Sequence, residues 1–319
     1  MVPITDVRLR IRHWFRRYGK IVLLATLVVL IIFTINRYLI LTDDIKIPET
    51  TYEPQVSIMD PGSEAPNRVQ ATAEKKIEEY VNYCYEGYYE KAFNMLSKDC
   101  QKYGFDDDLE RFLDHVFKKM VKTKRYSIQD YSNCKGYYIY EIKYIDDILA
   151  TGLTNSEYRY STEKIIFKQN GSDYDMSVGN FVNYEEIKNV LENEYLKVDV
   201  IDKITRYSVE TYKVKFTNRT DSTVVILDNL VENEVNLVLP QEYRNIENTN
   251  DLIILPPEQD LTCNLTFTKF FDDGDVSQAL SFPSIRVIED YQGALGTREE
   301  QKQEIDNAIA KFSVEIPVK

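Results

Sequence analysis

From residue 67 onward, apolar positions recur first at a helical period and then at a period of two, and the change of period divides the chain. Val69, Ala73, Ile77, Tyr80, Val81 and Cys84 share one face of a helix. Gly87 interrupts that face, and Tyr89, Ala92, Phe93 and Leu96 begin a second, shorter one. Leu109, Phe112, Leu113, Val116, Phe117 and Met120 keep i, i+3, i+4, i+7 spacing, and Asp107 with Glu110 three residues on predicts a capped start for this third helix. Beyond Arg125, Tyr138, Tyr140, Ile142 and Tyr144 alternate with Tyr137, Ile139, Glu141 and Lys143, which predicts an aromatic-rich strand. Residues 157–167 read as another strand, and Asn170-Gly171 offers a tight turn into a third at 174–178. Three helices followed by a curved antiparallel sheet predict a compact α+β domain over residues 67–182.

Residues 183–196 have the spacing of a short amphipathic helix and are expected to form a helical connector. Strand-like runs follow at 198–201, 207–216, 224–228, 235–239, 252–255, 261–267 and 285–288, split by turn residues such as Pro256-Pro257. Short strands at this spacing predict a β-sandwich over 197–319. Residues 298–310 read as a polar helical insertion before a closing strand at 312–318.

The longest apolar run lies upstream, at residues 21–41, broken only by Asn36 and Arg37. Its length suits the ~30 Å of hydrocarbon in a bilayer, so a single transmembrane helix is expected. Arg8, Arg10, Arg12, Arg16, Arg17 and Lys20 precede it, opposed only by Asp6. A basic flank stays cytoplasmic, which makes these six residues the orientation determinants, 1–20 a cytoplasmic tail, and the C-terminal part extracytoplasmic. The apolar core is too long for a cleaved secretory signal and no small-residue cleavage pattern follows it. Residues 42–66 hold Pro48, Pro54, Pro61 and Pro66 with little periodicity, which predicts an extended linker.

Charge narrows the partners. The chain carries a net −13, of which the tail and Arg37 contribute +6, leaving −19 on residues 38–319. An acidic exterior repels phosphate backbones, so nucleic acid is not expected as a partner of the outward domains. The expected contacts are membrane lipid through 21–41 and a protein or cell-wall partner outside the cell. The four cysteines, Cys84, Cys100, Cys134 and Cys263, lack metal-ligand spacing, so neither metal nor cofactor is expected. Cys84 and Cys100 sit on neighbouring predicted helices, where they either pair or serve as small buried apolar residues.

Candidate chemistry is sparse. The two histidines are His13, in the tail, and His115, on the third predicted helix. His115 could act as a general base, but it falls between Asp114 and Val116, outside the apolar face, which reads as a surface or boundary position. Asp130, Glu141, Asp146 and Asp147 lie in or beside the first sheet without an evident partner. Phe271-Asp272-Asp273-Gly274-Asp275 lacks the spacing of a calcium loop and reads as an acidic turn. The 24 tyrosines stand out. Tyr137, Tyr138, Tyr140, Tyr144, Tyr158 and Tyr160 lie on adjacent strands and are the candidate binding residues, since tyrosine joins a large apolar face to a hydroxyl. The alternative is that the Tyr138, Tyr140 and Tyr144 side packs beneath the helices.

The element order, with the Tyr89-x-x-Ala92-Phe93-x-x-Leu96 run, resembles the nuclear-transport-factor-two-like fold, a cone of sheet closed by helices. The second half is similar in architecture to an immunoglobulin-like sandwich, although the Cys-Trp-Cys hallmark is absent and the one tryptophan is Trp14. Single-pass bacterial envelope proteins share this layout, among them scaffold subunits of conjugative, type IV secretion assemblies. The resemblance implies a non-enzymatic, membrane-anchored binding or scaffold protein. The alternative is a cell-surface enzyme, since some cone-fold enzymes place a His-Asp pair, or a carboxylate with a tyrosine, in the cavity.

Overall fold

The computed structural model describes residues 67–120, 125–134, 136–145, 160–227, 235–247, 252–289, 291 and 297–319. The expected tail (1–20), transmembrane segment (21–41) and linker (42–66) lie outside these residues, as does Tyr158. Among the described residues no helix is long and apolar enough to cross a membrane. They form an α+β fold in which every strand pairing is antiparallel.

Helix α1 (Asn67–Glu86) buries Val69, Ala73, Ile77, Tyr80, Val81 and Cys84, the six positions that its helical period marks. Gly87, at φ +79, ends it, and α2 (Tyr89–Asn94) follows. A π-helical turn (Cys100–Gly104) leads to α3 (Leu109–Met120). The capping residue of α3 differs from the expected one. Asp108 Oδ1 accepts the Glu110 N–H at 2.9 Å, while Asp107 is in the left-handed region. The helices cover a four-stranded meander, β1 (Arg125–Cys134), β2 (Tyr137–Ile145), β3 (Tyr160–Asn170) and β4 (Asp173–Ser177), in the order β1-β2-β3-β4. The Asn170-Gly171 turn joins β3 to β4, with Gly171 at φ +61.

The expected helical connector at 183–196 is instead strand β5 (Phe181–Glu192), paired with β6 (Leu196–Arg206). Tyr184, Ile187 and Leu191 have helical spacing, but they serve two different cores. Tyr184 packs on the core beneath the helices, and Ile187 and Leu191 pack on the core of the second half. Between Glu186 and Asn189 the pairing register shifts at a bulge, where Lys188 sits at φ +59.

β5 and β6 continue through β7 (Val209–Asn218) to β12 (Asp260–Thr268), giving a sheet ordered β12-β7-β6-β5. A second sheet contains β8 (Thr223–Leu227), β9 (Asn236–Val238), β10 (Tyr243–Asn245), β11 (Ile253–Leu255), β13 (Ala279–Ile288) and β14 (Ala310–Pro317). Val198, Val214 and Phe216 from the first sheet and Ile226, Phe282 and Val287 from the second bury into one apolar cluster. The polar helix α4 (Arg298–Asp306) precedes β14, as its sequence suggested, and opens with a Thr297/Glu300 capping box.

The helix-capped half and the two-sheet half meet over a smaller cluster. Ile139 and Ile166, on the face of the meander turned away from the helices, pack with Val182 and Tyr207, all nearly inaccessible to solvent. Tyr137 and Phe271 border this seam, with ring centroids 5.1 Å apart at 77°.

Candidate functional site

The alternation in β2 sends Tyr138, Tyr140 and Tyr144 to the helical side, where all three are buried. Tyr140 packs edge-on against Phe167 at 5.7 Å. These rings are core, so of the two readings of this side the one that packs it beneath the helices holds, and Tyr138, Tyr140 and Tyr144 cannot present a recognition surface. Tyr137 points to the opposite face, at the seam, with the Lys168 ammonium 5.6 Å from its ring centre. Tyr160 is 64 % exposed at the start of β3. Of the expected tyrosine surface, the described residues leave only Tyr137 and Tyr160 accessible, and they lie on different parts of the sheet.

His115 stands at the boundary of the core, as its position suggested, but it is not without a partner. Its Nε2 lies 2.6 Å from Glu163 Oε1, and its ring packs against Phe105. Glu163, in β3, is 2 % exposed. The same oxygen accepts the Gly179 N–H at 2.8 Å, and Oε2 accepts the Tyr144 hydroxyl at 3.1 Å. Three parts of the helix-capped half, α3, β2 and the turn after β4, thus converge on one carboxylate carried by β3. Burial pushes the Glu163 carboxyl up, but the His115 charge, its hydrogen bond and those from Gly179 and Tyr144 together bring it below its ordinary value. Tyr144 is raised well above its ordinary value by burial and then by the Glu163 charge, and so is Tyr80.

A period-two reading could have found Glu163, because it shares a parity with Ile165 and Phe167 and must face the same core. His115 lies three residues past Phe112, at the flank of the buried face of α3. A histidine on the flank of one apolar face and a carboxylate inside another are complementary, and that pairing was the available signal.

A second polar set stands at the seam. Lys269, 4 % exposed, lies 3.3 Å from Asp273 Oδ1 and 3.6 Å from Glu210 Oε1. Glu210 Oε2 accepts the Tyr212 and Ser277 hydroxyls, each at 2.6 Å. The Tyr207 hydroxyl donates to Asp272 at 2.9 Å. The acidic turn at 271–275 therefore supplies acceptors that tie the β12–β13 loop to Tyr207 and Lys269 beside the seam. Beside it runs a groove made of two shallow cavities, of about 250 Å³ and 200 Å³, which share Asn183. Ser97, Asp99 and Lys168 line one, and Tyr137, Lys203 and Phe271 the other.

Cys84 and Cys100 are both free and buried, and burial pushes each thiol up to about 12. Among the described residues no group of three or more His, Cys, Asp or Glu side chains converges in a way that could hold a metal ion. Among the carboxylates weighed from sequence, Glu141 pairs with Lys164 at 3.3 Å, while Asp146 and Asp147 lie outside the described residues.

No family model, curated protein or solved structure matches the chain.

Proposed function

We propose that the chain is a membrane-anchored, extracytoplasmic binding or scaffold protein of a bacterial cell envelope and does no chemistry of its own. The single observation that supports the non-enzymatic part is the saturation of Glu163. Both of its oxygens are occupied by donors of the protein itself, and at 2 % exposure it has no route to a substrate. A general base needs a reacting proton within hydrogen-bond reach. Here that position is filled by His115, Gly179 and Tyr144, so the set reads as a structural pin in the core.

The anchor and its orientation rest on the apolar run at 21–41 and the basic residues before it. The surface best suited to a partner is the groove at the seam, since binding sites favour the junctions between structural units. In this reading the helix-capped half is nuclear-transport-factor-two-like and the second half, the two sheets from β5 onward, immunoglobulin-like. A scaffold subunit of a conjugative secretion assembly is the narrower form of the same reading, supported by the order of elements alone.

A photo-crosslinking residue placed at Asn183 in living cells tests this. It should give a discrete adduct, and one placed at the exposed Glu258 should not. Equal labelling at both positions would overturn the groove as the binding surface. The enzyme reading has one observation in its favour, the His115–Glu163 contact. It predicts that His115→Gln abolishes function in a normally abundant protein that still forms the Asn183 adduct.

A further inference from the structure

We propose that the Glu163–His115 pair is an acid-operated latch on the turn that joins the two halves. That turn, Gly179-Asn180, is the covalent passage from β4 into β5, and both of its residues are in the left-handed region, at φ +67 and +61. Asparagine tolerates this conformation better than most residues, yet two in succession need outside support. On the helix-capped side the support is Glu163, which accepts the Gly179 N–H at 2.8 Å while holding His115 on the same oxygen. On the other side the Asn180 carbonyl accepts the Tyr207 N–H at 2.8 Å, and the Asn180 side-chain oxygen accepts the Lys164 N–H at 3.1 Å. One peptide unit therefore separates the buried carboxylate from the bond that holds Tyr207, and Tyr207 lies in the cluster sealing the seam.

The fit is close around the turn. A Cβ on Gly179 would stand 3.5 Å from the Phe105 ring and 3.7 Å from that of His115, so both rings rest on the turn itself. A shift of the imidazole moves the surface against which Gly179 packs.

The neighbours make the pair the proton-responsive element. Facing it are Tyr80 and Cys84 from α1, Cys100 from the π-helical turn and Tyr144 from β2. Burial keeps both tyrosines and both thiols protonated far above neutrality. On α3 itself, Lys119 is turned to the Thr162 carbonyl at 2.8 Å, and Lys164, next to Glu163 on β3, points to the other face and pairs with Glu141. Acid titration in this part of the core falls on Glu163. Its ionised form is favoured in the folded state, so the latch is shut above the ordinary carboxylate range and opens as pH falls through the lowered value. A protonated Glu163 no longer offsets the charge of His115, and the imidazolium, 19 % exposed, can turn toward solvent. The Gly179 N–H then keeps only a weaker, neutral acceptor, and the turn loses the charge-assisted bond that supports it.

Hydrogen exchange on the full chain in detergent micelles, corrected for intrinsic rates, tests this. As pH is lowered from about 7 to about 3, protection should fall severalfold in peptides covering 178–183 and 205–209, and 212–216 should stay protected, as expected of a local opening. Glu163→Gln, which keeps the shape and removes the charge, should show the lowered protection already at pH 7 and no further step. His115→Gln should move the wild-type step to higher pH, because Glu163 loses the cation that holds it ionised. Should Glu163→Gln not fold, the His115→Gln shift decides alone. An unchanged midpoint in that variant, a step that persists in Glu163→Gln, or loss of protection across all peptides together would overturn the latch.

Discussion

Truncating Tyr140 to Ala is the sharpest test of how the first half is assembled. The ring is 1 % exposed, stands opposite Ile165 in the β2–β3 ladder and packs edge-on against Phe167 at 5.7 Å. Removing a buried aromatic costs about 3–5 kcal/mol through lost transfer energy and the cavity left behind. The lost ring pair, worth roughly 0.5–1.5 kcal/mol, favours the upper part of that range. For a unit of this size each kcal/mol lowers Tm by about 2–4 °C, so a fall of roughly 6–20 °C is expected. Thermal melts of the wild type, Tyr140→Ala and Tyr160→Ala measure it. Tyr160 is 64 % exposed, so its truncation should stay within about 0.5 kcal/mol. A Tyr140→Ala protein as stable as wild type would mean that β2 does not pack beneath the helices, and the account of the first half would fall with it.

Three further outcomes follow from other parts of the core. Asn218 donates to the Ser222, Leu255 and Pro256 carbonyls and accepts from Thr220, so Asn218→Ala should cost at least about 2 kcal/mol in a denaturant melt, since each buried polar group left without a partner costs roughly 1–3 kcal/mol. The folded-state value of Glu163 is lowered, so its contribution to stability is complete above about pH 4.3 and lost as pH falls through the folded value; chemical denaturation at stepped pH should show that loss in wild type and a flatter profile in Glu163→Gln. Cys84 and Cys100, with thiols near 12, should resist a thiol reagent in the native protein and react only as it unfolds; rapid native labelling of either would contradict their burial.

Much of the fold was legible because single cores impose a single period. All six positions that the helical period marks in α1 are buried, and β2 keeps Tyr138, Tyr140 and Tyr144 on one side and Tyr137 on the other, as alternation demands. Legibility failed where one segment serves two cores. In β5, Tyr184 belongs to the helix-capped half and Ile187 and Leu191 to the other, so a bulged strand carries a helix-like spacing. The site was hidden for a related reason. Glu163 was not singled out among the carboxylates of the chain, although its parity with Ile165 and Phe167 required burial. Its compensation, His115 and the Gly179 N–H, comes from segments 48 and 16 residues away, beyond any local pattern.

The account depends most on the claim that everything from residue 67 onward faces outward from a single anchor. Protease added to intact spheroplasts, with antibodies against each end, tests it directly. The predicted result is loss of the C-terminal signal with a short N-terminal fragment, carrying Arg8 to Lys20, retained in the membrane. A C-terminal half that resists protease until the membrane is permeabilised would contradict it, and the extracytoplasmic binding role with it.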